Sequence, residues 1–207
     1  MLWVERKADE NSVDSLSRSL SISPALSRLL HLRGFDFSDS ALDFLKPKLA
    51  HLADPFEIPR LREAVLRIIK SIESREGILL VGDYDVDGIT STVLVKKILA
   101  TLGSDPFYVI PRRKDEGYGL TKEILARGLK LGDVKLVIAL DCGTNSFEEA
   151  KILAGKGIDL VVVDHHQAKE ELPEEPIMLN PHLHPDEGEP WRNLCTAGLA
   201  FKLIHGL

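Results

Sequence analysis

The sequence predicts an α/β protein: a mainly parallel sheet with helices on both faces, preceded by a helical amino-terminal extension. Three observations carry this. First, short apolar runs at residues 78–81, 107–110, 136–140 and 160–163, with a further one at 177–179, lack the polar alternation of a half-exposed strand. Second, stretches with apolar residues at helical spacing lie between them, at 90–102, 120–129 and 147–155. Third, three of the runs finish in ionisable residues, and the carboxyl ends of parallel strands share one edge where ligands bind. The extension is residues 1–75 and the α/β domain is residues 76–207.

The bulk numbers agree with that division. The 207 residues are 44% hydrophobic and 28% charged, enough for one large domain with a sizeable core plus an extension. No apolar run approaches the roughly 20 residues of a membrane span. The start, MLWVERKADE, has no hydrophobic signal region, which makes the cytoplasm the expected location. Cys142 and Cys195 match no zinc spacing and argue against a disulfide scaffold. A net charge of −6 argues against bulk electrostatic binding of nucleic acid. Residues 1–75 hold 12 basic and 11 acidic residues, whereas residues 76–207 hold 14 and 21. The acidic excess therefore lies with the sheet, and an enzyme that handles phosphate through bound cations tolerates it.

Within the extension, Ser23-Pro24 starts a short amphipathic helix through Leu32, and Arg33-Gly34 breaks it. Ser38 is positioned to cap a second helix through Leu45. Pro47, Pro55 and Pro59 punctuate a connection. Leu61, Ala64, Val65, Ile68, Ile69 and Ile72 then form one face of a longer helix that ends near Gly77. These helices read as a packing extension or, alternatively, as the wall of a substrate channel with Arg60, Arg62 and Arg67 against phosphates. In the second half, the charged stretch 169–176, KEELPEEP, reads as a solvated loop.

The first strand runs into Gly82-Asp83-Tyr84-Asp85-Val86-Asp87-Gly88, three aspartates at alternate positions and a glycine. Carboxylates this crowded repel one another, and a divalent cation is the simplest compensation. A calcium loop of the same spelling needs a Glu at its twelfth position, which here is Leu94, and a helix where this chain has a strand. The third strand ends at Asp141-Cys142-Gly143 and the fourth at Asp164-His165-His166. Carboxylates with imidazole and without thiolate suit Mn²⁺ or Mg²⁺ better than structural zinc. A carboxylate bridging two such ions would support two-metal phosphoryl hydrolysis.

These words, with Asn180-Pro181, stand in the order and at the spacing of the DHH phosphoesterase superfamily, which the chain resembles. Flanking words narrow the resemblance to the RecJ family of single-strand-specific 5′→3′ DNA exonucleases. They are Leu32-Arg33-Gly34, Phe44-Leu45-Lys46-Pro47, Asp54-Pro55-Phe56, Pro111-Arg112-Arg113, Glu116-Gly117-Tyr118-Gly119-Leu120 and Ala197-Gly198-Leu199-Ala200-Phe201-Lys202. The resemblance implies metal-dependent phosphodiester hydrolysis on single-stranded DNA in repair and recombination, with a single-strand-binding protein or helicase as a partner. It implies that Asp83, Asp85, Asp141 and His165 hold the metal, with Asp141 as the bridge. His166 would contact the scissile phosphate, or else only position its neighbour. Asp87 and Asp164 would orient these groups. Arg112, Arg113 and Lys114 are either phosphate contacts or a solvated charge run. Tyr118 either stacks on a base or packs its loop.

Two departures bear on the site. Related enzymes often carry a histidine just before the first aspartate, where this chain has the apolar run 78–81. The family also supplies a further aspartate, a second catalytic domain and a nucleic-acid-binding barrel beyond the region of residues 197–202. The chain thus looks like the amino-terminal part of a longer protein or a natural truncation, with weak metal binding and little nuclease activity by itself. The competing expectations are a DHH phosphoesterase on short oligonucleotides or cyclic dinucleotides, and a non-catalytic replication scaffold of the same fold.

Overall fold

The computed structural model describes residues 4, 6–112, 116, 117, 119–169, 176–184 and 190–207. The chain forms two compact units, Met1–Ala53 and Asp54–Leu207. The division therefore falls well before residue 75, for a reason given below.

The first unit holds α1 (Glu10–Leu20), α2 (Pro24–His31) and α3 (Ser38–Leu45). Its small core is Leu16, Leu30 and Ala41, with Leu20, Ile22, Leu26, Phe35 and Leu45 packed around them. The serine-rich α1 has a thin apolar stripe, Val13, Leu16 and Leu20 at helical spacing. It is fixed by its cap, with Asp9 Oδ2 accepting from Ser12 N at 2.9 Å. Ser23 caps α2 as expected, accepting from Leu26 N at 3.3 Å. Ser38 does not cap α3: it is the first helical residue, and Phe37 at the cap position makes no side-chain cap bond.

The second unit is a five-stranded parallel sheet: β1 (Gly77–Gly82), β2 (Phe107–Val109), β3 (Val134–Leu140), β4 (Asp159–Val163) and β5 (Ile177–Leu179). Their order is β2-β1-β3-β4-β5. The remaining helices are α4 (Leu61–Glu73), α5 (Val86–Thr101), α6 (Lys122–Gly128), α7 (Phe147–Ala154) and α8 (Thr196–Gly206). Among the described residues, no helix is long and apolar enough to cross a membrane.

Alternate residues of each strand feed opposite cores, so both faces need helices. Ile78, Leu80, Leu136, Ile138, Leu140, Val161 and Val163 pack with residues of α4, α5 and α8. Leu79, Val81, Val137, Ala139 and Val162 pack with Ile124 and Leu125 of α6 and Ala150 and Leu153 of α7. This explains the near-continuous apolar spelling of the strands. It also explains why α4, read as part of the extension, belongs to the second unit: its buried Leu61, Ala64, Val65 and Ile68 are in the sheet's core.

The three arginines of the channel-wall reading are engaged elsewhere. Arg60 pairs with Glu63 and donates to the Pro176 carbonyl at 2.8 Å. Arg62 lies over the Phe56 ring, 4.2 Å from its centroid. Arg67 binds Asp159, Glu76 and the Lys135 carbonyl at the amino ends of the strands, the edge opposite the aspartates.

The strand order has one further consequence. The chain leaves β1 for β2 on one side and then returns to β3 on the other. The connections therefore diverge between the carboxyl ends of β1 and β3, which opens a crevice there.

Candidate metal centre

The residues flanking that crevice are Asp83, just past β1, and Asp141, just past β3. The Asp83 N–H still bonds to the Leu140 carbonyl, at 3.2 Å, and the Asp141 N–H to the Val163 carbonyl, at 2.9 Å. Both residues thus extend the sheet ladder by one bond, and their side chains start from rigid backbone.

Helix α5 begins at Val86, four residues before the apolar periodicity suggested. Asp85 is its cap, with Oδ1 accepting from Gly88 N at 3.0 Å. That N–H is the largest reason the Asp85 carboxyl titrates below its ordinary range. Gly88 is needed for closeness rather than for a calcium turn: a Cβ there would sit 2.6 Å from both the backbone N and the backbone O of Asp83.

The three strand ends converge. Ligand atoms of Asp83, Asp85 and Asp141 lie within 4.8 Å of one another, and so do those of Asp141, His165 and His166. Asp141 belongs to both groups. It is 1% exposed and holds a left-handed backbone, with φ of 64°. Its Oδ1 accepts from the Thr196 hydroxyl at 2.9 Å and lies 3.5 Å from His165 Nε2. Its Oδ2 is buried without a hydrogen-bond partner among the described residues. Burial first, then the neighbouring Asp85 and Asp87, pushes the Asp141 carboxyl up to about 7. An oxygen-rich set with imidazole and one orphaned carboxylate oxygen fits a hard divalent cation. The residues that could hold it are Asp83, Asp85 and Asp141 in one group and Asp141, His165 and His166 in the other.

Asp87 and Asp164 have other uses. Asp87 accepts from Thr196 N at 2.8 Å and Ala197 N at 2.7 Å, so it caps α8 from a different helix. Its Oδ2 is also 3.5 Å from His165 Nε2. Buried Asp164 is fully engaged: Oδ2 accepts from the Thr144 N–H at 3.1 Å and hydroxyl at 2.6 Å, and Oδ1 from His165 N at 2.8 Å. Oδ1 also pairs with His166 Nδ1 at 2.7 Å. Burial alone would raise the Asp164 carboxyl, but the bonds from His166 and Thr144 hold it below its ordinary range. The same bond, donated by His166 Nδ1 to the Asp164 carboxylate, lifts His166 to about 9.

Sequence reasoning gave no role to three residues that shape this site. Thr196 and Thr144 bind the carboxylates just described. Asn180 donates to the Thr144 hydroxyl at 2.8 Å and to the His166 carbonyl at 2.9 Å. The Asn180-Pro181 word was a signal for the last; α8, and with it Thr196, lay in a stretch given no element.

Beside the carboxylates lies a cleft of about 470 Å³, lined in part by Asp83, Asp141, Thr144, Asn145, Asp164 and His166. Arg112 is exposed just past β2, and its N–H donates to Glu116 at 2.8 Å. Arg113, Lys114 and Tyr118 lie outside the described residues, as does most of the stretch 169–176.

A family model described as "DHH family, N-terminal domain" matches residues 77–206. The chain belongs to the DHH family. The match starts at the first residue of β1 and covers every strand. Among relatives of this DHH-family chain is the single-stranded-DNA-specific exonuclease RecJ of Bacillus subtilis, 38% identical over all 207 residues and covering 26% of that relative. RecJ of Haemophilus influenzae is 33% identical over 190 residues, 91% of this chain and 32% of the relative. The crystal structure of RecJ from Thermus thermophilus in complex with Mn²⁺ is similar with a TM-score of 0.75 and 28% identity, over 95% of this chain and 27% of that one. The chain spans between about a quarter and a third of the length of these DHH proteins.

Proposed function

We propose that this chain forms a metal-dependent phosphodiesterase site and that its protein is a single-strand-specific DNA exonuclease working 5′→3′ in repair and recombination in the cytoplasm. The observation that carries the reading is Asp141, a buried carboxylate shared by two ligand groups, with one oxygen unpartnered. The RecJ relatives, similar along the whole chain, support the substrate class.

In this reading Asp83, Asp85, Asp141 and His165 would hold Mn²⁺ or Mg²⁺, two ions in the complete protein. When bound, the ions supply positive charge against phosphate oxygens and a water of lowered pKa. The chain's own residues do the rest. Asp164 fixes the His166 ring through Nδ1, so that ring is placed to donate to a phosphate oxygen as charge builds there. Asp87 and Asp164 hold both histidines and α8 in place without binding substrate. Arg112 and Arg113 hold backbone phosphates of the incoming strand and fix its register. A single-strand-binding protein or helicase is the expected partner, because either would present an unpaired strand.

The test offers end-labelled single strands, duplexes and dinucleotides to the full-length protein with Mn²⁺ or Mg²⁺. Early release of a 5′ label from single strands, absent in Asp141→Ala, is the expected result. Preference for dinucleotides, or activity untouched by Asp141→Ala, would overturn it.

A further inference from the structure

We infer that Thr196, the first residue of α8, is a positioning residue that decides which oxygen of Asp141 is offered to a cation. This rests on the metal-centre reading and goes beyond it, because Thr196 is not itself a ligand.

The inference starts from the carboxylate. A buried carboxylate without tethers rotates about its last bond and presents either oxygen. At Asp141 the two oxygens differ. Oδ1 takes the Thr196 hydroxyl proton at 2.9 Å, and Oδ2 takes nothing among the described residues. The hydroxyl bond therefore orients the carboxylate plane, with Oδ1 toward Thr196 and His165 and Oδ2 left without a donor among the described residues.

The tether is itself held firmly. Thr196 is fully buried. Its N–H and that of Ala197 bind the two oxygens of Asp87, which fixes the backbone at the start of α8. Cys195, at the cap position of α8, makes no side-chain cap bond, so the carboxylate from α5 does that work. A β-branched side chain on fixed backbone has little rotamer freedom. The Thr196 hydroxyl is thus pre-aimed at Asp141 rather than recruited when a cation arrives. One aspartate of the first cluster, Asp87, thus touches the metal centre both beside His165 and, through α8, by way of Thr196.

A purely structural role makes a different forecast. If the bond only ties α8 to the sheet, its loss lowers stability equally with and without metal. If it positions Asp141, its loss also weakens metal binding and shrinks the stabilisation that metal confers.

The experiment measures Mn²⁺ affinity by electron paramagnetic resonance of the free ion, and melting temperature with and without Mn²⁺. The variants are Thr196→Val, which replaces the hydroxyl by a methyl; Thr196→Ala, which removes both groups; and Thr196→Ser, which keeps the hydroxyl. Expected is a loss of about 10-fold in Mn²⁺ affinity for Val and for Ala, with a smaller Mn²⁺-induced shift in melting temperature, and recovery to within about 2-fold in Ser. Thr196→Ala keeps the test open should the valine variant fail to fold. Val or Ala binding Mn²⁺ as tightly as the unaltered protein overturns the inference alone. An unaltered protein that binds no Mn²⁺ overturns the metal-centre reading beneath it.

Discussion

The two edges of the sheet both gather acidic groups, and they treat them differently. At the amino edge, Glu76 and Asp159 come together before β1 and at the start of β4, and the chain supplies its own cation. Arg67 of α4 reaches both of them, as well as the Lys135 carbonyl, and Ser71 adds a bond to Glu76 at 2.8 Å. Against the burial that would raise it, these partners hold the Glu76 carboxyl below its ordinary range. At the carboxyl edge, Asp83, Asp85 and Asp141 are met by backbone N–H groups, one hydroxyl and imidazole, and Asp141 is pushed up to about 7. An acid cluster closed by an arginine is a structural clasp. The other leaves a buried carboxylate oxygen without a partner among the described residues.

The contrast can be broken at several points. The largest effect belongs to Asp141→Ala, which should weaken Mn²⁺ binding at least about 100-fold by calorimetry, as expected for a direct ligand rather than a supporting group. The metal-free variant should be no less stable in urea than the parent. Marked destabilisation would place Asp141 with the clasps.

Arg67→Ala should do the reverse. It leaves a partly buried Glu76 without its cation, at a cost of about 2–3 kcal/mol in urea unfolding, with Mn²⁺ affinity unchanged.

Next comes pH. The folded carboxyl of Asp141 titrates near 7, above its ordinary 3.8, so the folded state holds an extra proton between those values. Metal-free stability should therefore fall as pH rises from about 4 to 7, and Asp141→Asn should flatten that fall. His166 acts in a higher window. Raised from 6.5 to about 9, it gives stability fully present below 6.5 and lost as pH climbs through 9. Proton resonances of His166 should report that titration, and Asp164→Asn should return it toward 6.5.

The smallest effect tests the cap: Asp87→Asn should reduce stability by about 1 kcal/mol and fray α8 in hydrogen exchange.

Much of the sheet and site was legible because their signals are local. Continuous apolar runs mark strands buried on both faces, and a strand that stops at an aspartate announces a ligand edge. α1 carries a legible but thin signal, the Asp9 cap followed by Val13, Leu16 and Leu20 at helical spacing among serines. Ser38 misled because a good capping residue is also tolerated one position inside a helix. Arg60, Arg62 and Arg67 carried the same charge in the sequence whether they faced phosphate or a structural partner.

By itself, then, the sequence determined the fold class, the family and the set of aspartates and histidines that converge, since each is written in a short word or a period of two or 3.6 residues. Only the tertiary structure shows what each of them touches. Asp87 reads like its neighbours Asp83 and Asp85, yet it is spent on two N–H groups, those of Thr196 and Ala197, 109 and 110 residues further on. Thr196 in turn fixes Asp141 across 55 residues. Hydrogen bonds at such separations leave no periodicity behind, so nothing short of the folded chain assigns them.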